Sequence, residues 1–100
     1  MEYTVECEIQ ADHPALPGHF PGYAVVPGVV ILDQVLQALA VWQPGSRVGS
    51  FDSVKFVSPL LPQQPFSVTL KQGSAAAVQF ECRAGERRLA LGRITLKEPA

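Results

Sequence analysis

Charge is scarce in this sequence and almost evenly signed. Eight lysines and arginines face nine aspartates and glutamates, for a net of -1, and charged residues make up only 17% of the chain. No basic block breaks that balance, which excludes the electrostatic footprint of a nucleic-acid binder. Cysteine is nearly absent. Cys7 and Cys82 lie far apart, and neither belongs to a CxxC pair, so no zinc site is expected. Each sits in an alternating pattern and reads as a small free core hydrophobe. Long apolar runs are missing too. The longest, Ala24 to Leu32, is interrupted by Pro27 and Gly28 and is too short to span a bilayer. No positive segment leads into an apolar run at the N-terminus, so no secretory signal is expected and the cytoplasm is the expected location. Repeats and low-complexity segments are absent. One hundred residues suffice for one domain, taken as 1–100.

What is present is alternation, and one helix. Glu2 to Gln10 places Tyr3, Val5, Cys7 and Ile9 on one face and polar residues on the other, which predicts a half-buried strand. Gly28 to about Trp42 predicts a helix of four turns, roughly 20 Å long. Pro27 suits its first turn, and Pro44 and Gly45 end it. Its residues leave almost no polar face, so burial on most sides is expected. Arg47 to Ser58 has strand composition with apolar residues on both parities, which suits a doubly covered strand or a bulge. Phe66 to Gln72 alternates, Gly73 and Ser74 turn the chain, and Val78, Phe80 and Cys82 mark the next inward face. Ala84-Gly85-Glu86 predicts a hairpin loop before a last strand from Arg87 to Leu96, with a bulge or kink at Gly92. One helix and mostly short strand connections predict an α+β fold, with an antiparallel sheet covering the helix.

The chemistry concentrates between Pro17 and Ala38. His19 stands between Gly18 and Phe20-Pro21-Gly22, where proline and glycine restrict the backbone and aim the ring. Asp33 is the one acidic or basic side chain charged at neutral pH between His19 and Arg47, and it lies in the apolar helix. A buried carboxyl there takes a partner or a proton; a helix edge reaching solvent would instead leave Asp33, Gln34 and Gln37 merely hydrated. Gln37 follows one turn later on nearly the same face and could fix the carboxyl. Gly28 offers a first-turn N–H with no side chain in the way, and the helix dipole favours negative charge there. Base, carboxyl and backbone donor together suit proton abstraction beside a carbonyl with loss of a hydroxyl. Asp12, His13 and His19 lack any fixed metal-ligand spacing, so no metal site is expected.

The string His19-Phe20-Pro21-Gly22, then Pro27-Gly28-Val29, then Asp33 with Gln37, resembles the (3R)-hydroxyacyl-acyl carrier protein dehydratases of the hot dog fold. The family pattern is roughly HFPGxPVxPGVL, with an acid fourteen residues after the histidine and a glutamine four further on. Phe51 to Pro65, with Lys55-Phe56 and its proline-rich end, is similar to the family's strand after the helix. The resemblance implies a sheet wrapped around one central helix. It implies His19 as the base at C2, Asp33 as the acid at C3, Gly28 N–H on the thioester carbonyl, Gln37 orienting Asp33, and the Val25 carbonyl holding the His19 ring. Phe20, Pro21, Gly22, Pro27 and Val29 would line the substrate site. No cofactor is implied. The implied partners are an acyl carrier protein bearing a 3-hydroxyacyl group and a second copy of the chain, as a homodimer or a higher oligomer of dimers. No nucleic acid and no membrane are implied.

Three departures stand out. Aspartate replaces the commoner glutamate, Ala24 replaces the proline of the family's PV pair, and the family's N-terminal helix and first strand are expected to be missing. Small dehydratase-like members of polyketide or aryl polyene pathways are similar in length and motif. Two other functions compete on the same scaffold. A hot dog thioesterase would carry a helix carboxylate without the HFPG turn. A non-catalytic acyl-binding subunit would leave Asp33 simply solvated.

Overall fold

The computed structural model describes residues 1–10, 25–74 and 76–97. Five strands and one helix follow in the order β1 (Glu2–Cys7), α1 (Gly28–Trp42), β2 (Arg47–Phe56), β3 (Phe66–Ser74), β4 (Ala77–Ala84) and β5 (Arg87–Lys97). The strands form one sheet of order β1-β3-β4-β5-β2, and every pairing is antiparallel. The helix lies against β1 and β3. This is the α+β, hot dog arrangement that the sequence resemblance implies.

The alternation fills the space beneath the helix. Phe66, Val68 and Leu70 of β3, with Val78, Phe80 and Cys82 of β4, point inward and are buried. They meet Val30, Ile31, Val35, Ala38 and Leu39 of the helix. Burying each such side chain contributes about 1.5–3 kcal/mol, which is what drives a helix rich in modest helix formers such as valine. At the far end Trp42 stacks on Tyr3, with ring centroids 6.2 Å apart.

The helix bounds agree with the sequence reading, but its surroundings do not. Pro27 is the extended N-cap (φ -60°, ψ 147°) and not a first-turn residue. Burial is confined to one side. Val29 and Val41 are 74% and 68% exposed, and Asp33 and Gln37 are exposed between them. A sheet under one side of a helix leaves a stripe uncovered, however apolar that stripe is.

Several strand ends and irregularities also shift. β1 stops at Cys7, opposite Phe66, because β3 begins only after Pro65, which has no N–H to extend the ladder. Ile9 nevertheless stays buried, and its carbonyl accepts from Gln63 N–H at 2.7 Å. β2 ends at Phe56, since Val57 and Ser58 N–H both turn to the Leu89 carbonyl. Gly73 and Ser74 remain within β3, with the register irregular between Gln72 and Ser74. The hairpin at Gly85-Glu86 is as expected, with Gly85 at φ +62°.

The bulge expected at Gly92 falls at that position of the β2–β5 ladder, with its extra residue on β2. Gly92 pairs regularly with Phe80, and the β4–β5 irregularity falls between Cys82 and Arg83, at Leu89. Along β2 the register shifts between Val48 and Ser50 and again between Asp52 and Lys55, where Ser53 takes φ +55°; Asp52 and Lys55 pair with Arg93 and Leu91, on either side of Gly92. Gly92 is glycine for a steric reason. A Cβ there would lie 2.8 Å from the Phe80 ring and 3.1 Å from the Val54 backbone. The missing side chain makes room for the bulged strand.

Two predictions follow from this core. Gly92→Ala should destabilise the protein by about 1–3 kcal/mol in chemical denaturation, as overpacking against a ring and a backbone. The second concerns Cys82, which is fully buried. Burial, reinforced by Cys7 and Glu81, pushes its thiol up to about 12 from an ordinary 9.0. Below pH 9 the thiol is protonated in folded and unfolded chains alike, and this contribution to stability is fully present. Between that pH and about 12 only the unfolded chain gives up the proton. Stability should then fall by up to about 1.4 kcal/mol per pH unit. The component should vanish in Cys82→Ala, so the gap between wild type and variant should narrow as the pH rises.

Candidate active site

The site is built on the first three turns of α1. Val30 and Ile31 N–H both reach back to the Pro27 carbonyl, at 3.0 and 3.4 Å. Among the described residues the Gly28 N–H has no backbone acceptor. The first turn carries no acidic side chain, so the positive end of the helix dipole is offset by no carboxylate of its own turn. The segment before it is fixed by Val26 N–H, which donates to the Leu60 carbonyl at 2.8 Å. That bond sets the helix start beside the loop that follows β2.

Asp33 and Gln37 lie further along the same helix. The Gln37 amide donates to Asp33 Oδ2 at 2.8 Å, which is the partnership that the four-residue spacing predicts. Both side chains are exposed in the single chain. The alternative of a carboxyl buried in an apolar helix therefore does not describe this protomer. Val29 stands one turn before Asp33 on the same stripe and is the most exposed large hydrophobic residue of the helix.

A cavity of about 380 Å³ opens beside the helix start. Pro27, Gly28 and Ile31 line it from the helix, and Val25 and Val26 from the segment before it. Phe56, Val57, Ser58, Pro59 and Leu60 close it from the other side. Among the described lining residues Ser58 is the one with a polar side chain, so the cavity suits an apolar guest with a carbonyl at the helix end. The Phe56 ring lies directly over Gly28. A Cβ on Gly28 would sit 2.6 Å from the ring's Cζ.

The structure thus brings Val25, Pro27 and Gly28 to one cavity and places Val29, Asp33 and Gln37 on the adjoining exposed stripe. His19, Phe20, Pro21 and Gly22 lie outside the described residues, as do Asp12 and His13. Among the described residues no cluster of three His, Cys, Asp or Glu side chains could hold a metal ion. Phe56 and the loop after it escaped sequence reasoning as site residues. Their contact with Gly28 spans twenty-eight positions and leaves no local spacing to read. The one local sign was an aromatic residue directly before a proline-rich run.

Comparisons with known proteins bear on the family and the fold. The sequence model of the ApeI-like family, described as ApeI dehydratase, matches residues 1–93. The 3-hydroxyacyl-[acyl-carrier-protein] dehydratase FabZ of Streptococcus thermophilus is 28% identical over 106 aligned residues, covering 94% of this chain and 75% of that protein. Among solved structures, the dehydratase heterocomplex ApeI:P from Xenorhabdus doucetiae matches with a TM-score of 0.86 and 23% identity, over 97% of this chain and 88% of that one. A 1,4-dihydroxy-2-naphthoyl-CoA thioesterase from Synechocystis shares the fold at a TM-score of 0.69 and 17% identity, over 96% and 80% of the two chains. The fold therefore holds more than one chemistry, and the family match decides between them: the chain belongs to the ApeI-like family of hot dog dehydratases.

Proposed function

We propose that this protein catalyses the reversible dehydration of a (3R)-hydroxyacyl thioester, carried on acyl carrier protein, to the trans-2-enoyl thioester. The observation that carries the reading is the Gln37–Asp33 hydrogen bond on the helix that begins at Gly28. It holds a carboxyl on the same rod as a backbone donor, fourteen residues after His19 in the sequence. The match to FabZ of Streptococcus thermophilus supports the substrate class.

The steps follow from the thioester. Its carbonyl oxygen accepts from Gly28 N–H, and the positive end of the helix stabilises the enolate-like charge that develops there. His19 takes the proton from C2 as general base, with its ring held by the Val25 carbonyl. The electron pair left at C2 forms the C2–C3 double bond, and the C3–O bond breaks. Asp33 gives its proton to the departing hydroxyl, which leaves as water. Gln37 keeps the Asp33 carboxyl turned toward C3. The proton on His19 returns to solvent and Asp33 regains one before the next turnover. No cofactor is required, because the thioester already acidifies the C2 proton.

We place the working unit as a homodimer, or a higher oligomer of dimers, in the cytoplasm with its carrier protein. The outer edge of β2 and the stripe from Val29 to Val41 support this, since no described strand pairs with the first and Val29 and Val41 of the second are exposed in one chain. Among the described residues no helix is long and apolar enough to cross a membrane.

The reaction is tested in either direction, by mass spectrometry of carrier-bound 3-hydroxyacyl groups or by hydration of an enoyl thioester. His19→Ala and Asp33→Asn should each lower kcat by about 10²–10⁴ while the circular dichroism spectrum is retained. A folded His19→Ala protein as fast as wild type would end the proposal. Free thiol released from acyl-CoA without consumption of the enoyl substrate would select the thioesterase instead. Binding of acyl groups with no turnover, unaltered by Asp33→Asn, would mark an acyl-binding subunit.

A further inference from the structure

We infer that Phe56 is the specificity-determining residue of the acyl site, a displaceable aromatic wall that sets the length and bulk of the group the cavity accepts. The inference rests on the dehydratase reading for the identity of the guest. Its geometry rests on Gly28, Phe56 and the cavity between them.

The Phe56 backbone is firmly held. It is the last residue of β2, paired with Ala90 on β5, and the next N–H, of Val57, donates to the Leu89 carbonyl at 2.8 Å. The ring is not held in the same way. It is 53% exposed, although the inward rings of Phe66 and Phe80 are almost wholly buried. In the single chain one side of it is uncovered and the other faces the apolar cavity. Displacing it therefore removes little core packing, and a rotation about its side-chain bonds moves it between staggered wells without moving the strand.

Its position gives that rotation a consequence. The ring tip rests on the Gly28 backbone so closely that not even a methyl group fits between them. A carbonyl approaching the Gly28 N–H passes the ring edge. The chain attached to that carbonyl then runs along the ring or takes its place. Val57, 55% exposed, follows Phe56 and lines the same cavity as part of an apolar rim. Among the described lining residues Ser58 has the one polar side chain and none is charged, so the wall around Phe56 favours an apolar tail. The guest is an apolar acyl chain, and its extent is limited by the space the ring leaves or yields.

The test measures kcat/KM over a homologous series of short, medium and long 3-hydroxyacyl thioesters for wild type, Phe56→Ala and Phe56→Leu. Each additional methylene that becomes buried is worth about fourfold in binding. Phe56→Ala should raise the ratio of long-chain to short-chain kcat/KM by about tenfold or more, chiefly through KM, with Phe56→Leu in between. Circular dichroism checks that the variants fold. An unchanged ratio in folded Phe56→Ala would overturn the inference. A parallel measurement needs no turnover: calorimetric titration with an S-alkyl pantetheine thioether carrying a long chain should show Phe56→Ala binding about tenfold more tightly than wild type. Equal affinities would overturn the role of Phe56. If wild type converts no hydroxyacyl thioester, the proposed reaction fails, and the titration still decides whether Phe56 governs the cavity.

Discussion

The hydrogen bond from Val26 N–H to the Leu60 carbonyl is the constraint on which the rest of this site depends. It is one stitch of a loop that holds three parts of the molecule together. Val57 and Ser58 reach β5 at Leu89, Leu60 receives the residue before the helix cap, and Gln63 reaches Ile9 beyond β1. Leu60 itself is fully buried and anchors the loop in the core. The three proline residues of the segment, Pro59, Pro62 and Pro65, restrict the unfolded chain and reduce the entropy cost of this path. Each bond contributes only about 1 kcal/mol, but together they fix where the helix begins relative to the end of β2. The cavity is the space between those two fixed points.

The helix then divides the labour along its own length. Its first turn supplies a backbone donor, and Asp33 stands five residues on, about 7.5 Å further along the axis. Because both belong to one rod, their separation needs no tertiary contact to maintain it. Gln37 adds orientation from the next turn. What the sheet contributes is a rigid bed beneath Val30, Val35 and Leu39. Rigidity comes from the buried side of the helix and chemistry from the exposed one.

Much of this was legible in the sequence because it is local. The helix from Gly28 to Trp42 announced itself by its apolar run and by the proline and glycine residues at its ends. The pairing of Gln37 with Asp33 followed from a spacing of four. The inward faces of β3 and β4 followed from alternation. The features that escaped are non-local. Burial of Asp33 depends on what lies across from it, and no pattern within the helix encodes that. The two apolar parities of β2 were consistent with a bulge, but the bulge sits where Gly92 of a neighbouring strand leaves room for it. The glycine and the double parity of β2 were both visible; that the two lie opposite each other was not readable from periodicity. Phe56 over Gly28 is the same kind of contact, made by two elements that meet only once the chain has folded.

The stack of Trp42 on Tyr3 has a practical consequence of its own. The chain has one tryptophan, and it sits at the opposite end of the helix from Gly28, about 20 Å away along the axis. Its emission reports how the C-terminal end of α1 docks onto β1, with no second indole to confuse the signal. A guest entering beside Gly28 leaves that indole's surroundings alone, whereas loss of the helix–sheet contact strips its ring partner away. One fluorophore thus separates folding from occupancy, so a titration and a melt can be followed in the same cuvette without labelling the protein.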